Sequence, residues 1–139
     1  MAGDYEKYRR HYERIDADLV VATGDAGPST LKTVRNANYT IYVQKIKVSV
    51  TTFSAKTWTF KDSAGTPVPG AVISIPASEA TVPGIQDYEF DFGAAGYPLT
   101  QGKNLVLAYS TAGAAGIVHV EAYQRKTAVT YIGDTSANQ

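Results

Sequence analysis

Residues 88–123, YEFDFGAAGYPLTQGKNLVLAYSTAGAAGIVHVEAY, leave this chain few folds to choose from, because almost every position in them is committed to a pleat or a turn. Tyr88, Phe90 and Phe92 alternate with Asp87, Glu89 and Asp91. That period of two is the pattern of a strand with one buried and one wet side. The next run, NLVLAYS from Asn104 to Ser110, is apolar on nearly both faces, as a strand covered on both sides must be. From Ile117 to Gln124, Val118, Val120 and Ala122 share one face while His119, Glu121 and Tyr123 share the other. Gly/Ala/Pro turns separate the three runs. The stretch predicts a surface-presenting sandwich, with almost no polar group placed for chemistry.

The rest of the chain extends the same reading. Strands are predicted over 18–23, 29–35, 39–50, 56–61, 71–75, 87–92, 104–110, 116–124 and 127–132. The longest, YTIYVQKIKVSV, changes parity: Tyr39, Ile41 and Val43 point one way, then Ile46, Val48 and Val50 take over. Two arrangements fit: a one-residue bulge near Gln44–Lys45 that restores one continuous buried face, or a bend of the strand between two sheets. Trp58 and Phe60 repeat the alternation, and Thr and Val abound, as half-buried pleated surfaces favour. Turns are marked at Gly24-Asp25-Ala26-Gly27-Pro28, Asp62-Ser63-Ala64-Gly65, Pro69-Gly70 and Pro83-Gly84. The longer connections at 76–86 and 93–103 suit crossings between sheets. The fold class expected is all-β, a jelly-roll-like antiparallel β-sandwich with a short N-terminal α-helical arm.

That arm is drawn from residues 1–16. Tyr5, Tyr8, Tyr12 and Ile15 recur as one stripe of a helix. Asp4 can cap it, and Glu6 and Arg10 form a favourable i,i+4 pair. Such a short helix needs a surface to lie on, either its own sandwich or a partner. Tyr5, Tyr8, Tyr12 and Ile15 are therefore the candidate partner-binding residues. The domain reading is a helical arm over 1–16, a sandwich over 17–133 and a polar tail over 134–139.

Composition narrows the function. In 139 residues, 13 Lys and Arg balance 13 Asp and Glu, so no basic excess exists for phosphate neutralisation and nucleic acid is not an expected partner. There is no cysteine, which excludes disulfides, thiolate metal sites and cysteine nucleophiles. No run approaches the about 18 apolar residues of a membrane span. The charged N-terminus lacks the apolar core of a secretory signal, so synthesis in a cytoplasm is expected. The Asn38-Tyr39-Thr40 sequon is then incidental.

Catalytic and metal patterns are thin. The two histidines, His11 and His119, cannot build a histidine-rich metal cup. His119 and Glu121 share a strand face and offer two ligands with no third indicated by spacing. Asp87, Glu89 and Asp91 could meet a calcium ion, but such a row is more often the wet side of a strand and deters edge aggregation. Gly93–Gly96 and Gly113–Gly116 lack the GK[ST] ending of a phosphate loop, and no GxSxG elbow is present. No cofactor, metal or catalytic residue is expected.

The segment from Asp91 to Gln124 contains PLTQGKNLVL, a Gly/Ala turn and GIVHVEAY. With TIYVQKIKVSVTT and TWTFKDSAGTPV upstream, it resembles the capsid cement proteins of short-tailed Bordetella phages, over most of residues 29–125. The resemblance implies a jelly-roll decoration protein on the exterior of an icosahedral capsid, made in the host bacterial cytoplasm and carried on the virion. It implies the major capsid protein and further copies of this chain as partners, as a homodimer or a trimer, with no nucleic acid and no membrane. Two other readings stay open: a carbohydrate- or receptor-binding domain of a tail or fibre, and a cupin-like enzyme using His119.

Overall fold

The computed structural model describes residues 12–25, 27–78, 87–109 and 112–126. Ten strands run in the order β1 (Tyr12–Arg14), β2 (Ala17–Val21), β3 (Ser29–Lys32), β4 (Tyr39–Thr52), β5 (Lys56–Asp62), β6 (Pro67–Ile75), β7 (Asp87–Asp91), β8 (Tyr97–Pro98), β9 (Leu105–Tyr109) and β10 (Ala115–Lys126). All pairings are antiparallel. Sheet A has the order β1-β10-β4-β7, with β2 also on β10 and β8 also on β4, and sheet B the order β3-β9-β5-β6. The chain crosses between the sheets from β6 to β7 and from β8 to β9, where the long Pro/Gly connections suggested crossings.

The two sheets close on one core. Val43, Ile46, Val48, Val118 and Val120 line sheet A, while Trp58, Phe60, Ile73, Leu105 and Leu107 line sheet B, all at most 2% exposed. Phe60 of β5 meets Phe90 of β7 edge-on at 6.4 Å between ring centroids, a direct contact between the layers. With no disulfide available, this apolar burial and the two ladders hold the domain together. The architecture is an antiparallel β-sandwich.

The parity change in β4 is resolved by a bulge. Lys45 pairs with Glu121 and Val43 with Ala122, so Gln44 is the extra residue, and apolar side chains on both sides of it face the core. Gly116, where β10 passes β4, has no room for a side chain: a Cβ there would lie 2.6 Å from the Ser49 carbonyl oxygen. Turn glycines 93 and 96 adopt positive φ, which lets residues 93–96 fold back over sheet A, where the Tyr123 hydroxyl donates to the Ala95 carbonyl at 2.5 Å.

The N-terminal reading requires a correction. The helical arm expected through residue 16 does not extend over residues 12–16, and the described residues contain no helix. Tyr12, Glu13 and Arg14 instead pair with Arg125, Gln124 and Tyr123 of β10. Ile15 is 5% exposed within the core, and its N–H donates to the Ala122 carbonyl at 3.0 Å. An open edge on β10 offers these residues a ladder and a buried site for Ile15, which a short solvent-facing helix cannot match. The sandwich thus includes residues 12–15, ahead of the boundary expected at residue 17. Tyr5 and Tyr8 lie outside the described residues, as do the strand expected over 127–132 and the polar tail.

Candidate functional site

The two outer faces of the sandwich are the surfaces on which partners can act, and their chemistry differs. On sheet A the register sets polar side chains into rows. One row runs Asp87, Ser49, Ile117, Val20; the next runs Glu89, Lys47, His119, Asp18; a third runs Asp91, Lys45, Glu121. Most of these charges are answered within the face. Lys45 lies 3.8 Å from both Glu89 and Asp91, Lys47 lies 4.0 Å from Glu121, and Arg14 lies 3.7 Å from Glu121. Ser49 donates to Asp87 at 2.8 Å. Exposed pairs of this kind contribute little stability each, and with Asp18, Asp87, Glu89, Asp91 and Glu121 set against Lys45, Lys47 and Arg14 the face stays net negative and hydrated.

His119 sits inside this lattice. Its Nδ1 is 2.5 Å from Asp18 and its Nε2 is 3.9 Å from Glu121, with side-chain exposures of 39%, 73% and 30% respectively. The pair of ligands singled out in the sequence, His119 and Glu121, does share a face, but His119 is already engaged by Asp18. Among the described residues no group of three or more His, Asp or Glu side chains is placed to hold a metal ion. Small Ser49 floors a shallow groove between Asp87 and Glu89 on one side and Ile117 and His119 on the other.

Among the described residues, the outer face of sheet B carries no carboxylate. It presents Thr30 of β3, Ala108 and the largely covered Val106 of β9, Thr57, Thr59 and Lys61 of β5, and Val72 and Ser74 of β6. The strands of sheet B contain one carboxylate, Asp62, and it is buried at 1% exposure. Their cationic residues are Lys32, Lys56 and Lys61. Val72, on the edge strand β6, is 50% exposed. Such a surface, rich in small and β-branched side chains and without a carboxylate, sheds water at low cost.

The partner-binding residues expected from sequence fall apart in the structure. Ile15 belongs to the core, Tyr12 is a strand residue paired with Arg125, and Tyr5 and Tyr8 lie outside the described residues. The surface that sequence reasoning passed over is the outer side of sheet B. Its signal was present as the alternate positions of KTWTFK, read there for Trp58 and Phe60 alone.

No helix among the described residues is long and apolar enough to cross a membrane. No protein-family model matches the sequence, and no curated protein matches it closely. A chain of the Bacillus endospore appendages, a novel family of disulfide-linked pili, is similar in structure with a TM-score of 0.42 and 10% identity, over 83% of this chain and 86% of that one. A likeness at that level bears on neither partner nor role.

Proposed function

We propose that this protein is a structural virion protein that binds the exterior of an icosahedral phage capsid and stabilises it by bridging major capsid protein subunits. The observation that carries the reading is the strand order. With β1 and β2 acting as one edge strand and β7 and β8 as the other, each sheet is four strands wide. The order β1/β2-β10-β4-β7/β8 facing β3-β9-β5-β6 is that of a jelly roll built from two Greek keys. The segments that resemble cement proteins take in β4, β5, β8, β9 and β10 and the start of β6, and so include the inner strands of both sheets.

The outer face of sheet B docks on the shell in this reading, and the ion-paired face of sheet A stays in water. A rigid module seated across a subunit boundary adds buried area that must be broken before the subunits part. Many identical copies act together, so modest affinity per copy suffices. Tyr5 and Tyr8, ahead of β1, are retained as a second contact.

The test is co-sedimentation of the purified protein with intact capsids stripped of it, followed by heating. Bound protein and a higher temperature of capsid rupture are expected, with Val72→Glu and Thr59→Glu each lowering occupancy. Protein that stays in the supernatant and leaves rupture unchanged overturns the capsid reading. Binding unaffected by both substitutions overturns the assignment of the face.

A further inference from the structure

Four strand edges border the two sheets, and three of them are blunted against pairing. Edge strand β6 contains Pro67 and Pro69, which have no N–H to donate, and its register with β5 breaks between Thr59 and Lys61. Edge strand β7 sets Asp87, Glu89 and Asp91 along its outer side, a row of carboxylates that repels its own kind. Edge strand β3 is four residues long, carries Lys32, and has a register shift between Thr30 and Lys32. Each is a recognised defence against edge-to-edge association.

The edge at β2 has no proline, lysine or register break, and a single carboxylate in place of a row of them. Ala17–Val21 runs alongside β10, and among the described residues β10 is its one hydrogen-bonded neighbour. Val20 is 70% exposed and pairs directly with Ile117, which is 48% exposed. These two form an apolar step at the margin of an otherwise charged face. The carboxylate of β2, Asp18, is taken up by His119.

We propose that β2 pairs antiparallel with β2 of a second copy of this chain, joining the two A sheets into one. The edge is self-complementary about a two-fold axis at Val20. Leu19 then falls opposite Val21 of the second copy, and the outer row reads Ile117, Val20, Val20, Ile117 across the junction. Asp18 falls opposite Ala22 of the second copy, so no two carboxylates meet. Backbone pairing supplies the affinity and the apolar row the register, as in strand addition generally. A five-residue edge buries less than the about 800 Å² per partner of a standard interface, so the dimer dissociates on dilution. The pairing does not depend on the capsid reading and concerns the free protein.

Sedimentation velocity over a dilution series of the full chain is expected to show reversible monomer–dimer exchange. Val20→Lys should weaken the dimer about tenfold or more while Val72→Lys, on the far face, leaves it unchanged. Because the chain has no cysteine, Val20→Cys offers a direct readout. Directly opposed residues in an antiparallel pair bring their Cβ atoms within about 5 Å, so Val20→Cys should form a disulfide-linked dimer under mild oxidation far faster than Val72→Cys. A chain that is monomeric at every concentration, a dimer indifferent to Val20→Lys, or equal cross-linking from the two positions overturns the proposal.

Discussion

At the scale of single residues, Asp62 shows how a buried charge is made tolerable. It is 1% exposed, and its carboxylate accepts from the N–H groups of Ala64 at 2.9 Å and Thr66 at 3.0 Å, and from the N–H and hydroxyl of Thr100 at 3.1 and 2.6 Å. Burial works to raise its pKa, but the hydrogen bonds from Thr100, Thr66 and Ala64 outweigh burial and hold the carboxyl below its ordinary value. The folded state therefore favours the ionised form. The resulting stability is complete above the unfolded pKa, about 3.9, and is lost as pH falls through the lower folded value. Asp62→Asn should accordingly flatten the loss of stability below about pH 4 relative to the parent chain. Asp62→Ala, which strands several donors, should cost about 3 kcal/mol at neutral pH. Urea unfolding followed by the fluorescence of Trp58, the single tryptophan and 1% exposed, measures both. The sequence marked Asp62-Ser63-Ala64-Gly65 as a turn but not as a clamp, because Thr100 lies 38 positions away and nothing local announces it.

At the scale of elements, β4 is the strand whose details the sequence carried furthest. Apolar side chains three positions apart at Val43 and Ile46 cannot share a face of a regular strand, and the bulge at Gln44 is the least disruptive remedy. Deleting Gln44 should keep the fold, since it brings Val43 and Ile46 to a spacing of two and leaves the apolar side chains of β4 on the core face in regular register with β10; losing the bulge and its local bend should cost about 2 kcal/mol. Gln44→Ala keeps the residue count and removes the side-chain bonds to the Ala94 carbonyl at 2.6 Å and to Arg14 at 3.3 Å, so it should cost about 1 kcal/mol. Circular dichroism and thermal melts of the two variants separate the outcomes. The short strands were beyond reach of periodicity: β8 has two residues and β1 three. Both exist because a neighbouring strand, β4 or β10, offers them a ladder.

At the scale of the whole molecule, β1 closes part of the A-sheet edge and its loss is felt across the domain. Buried Gln124 accepts from the Arg35 N–H at 3.0 Å and donates to Glu13 at 2.6 Å, so β1, β10 and the loop before β4 are tied at one end. Deleting residues 2–16 should lower stability by about 3 kcal/mol more than deleting 2–11, through the lost burial of Ile15 and the lost partner of Gln124. Thermal unfolding of the two truncations measures the difference, and equal midpoints would remove β1 from the cooperative unit. In capsid binding, the shorter truncation is the proper probe of Tyr5 and Tyr8, because it leaves the sandwich intact from Tyr12 onward.

The sequence by itself determined which side chains face the core along most strands, because the pleat alternates with a period of two and apolar residues betray the buried side. It determined the all-β class and narrowed the parity change of β4 to a bulge or a bend near Gln44–Lys45 for the same local reason, and the pairing with β10 chose the bulge. Only the tertiary structure decided which strands are neighbours. Antiparallel pairing joins residues far apart in the chain, and no local pattern encodes that β2 and β7 flank β10 and β4. The carboxylate-free face of sheet B, the ion-paired rows of sheet A and the apolar step of Val20 on Ile117 are all products of that order. They are properties of adjacent strands, and adjacency is settled by packing the two layers on one core.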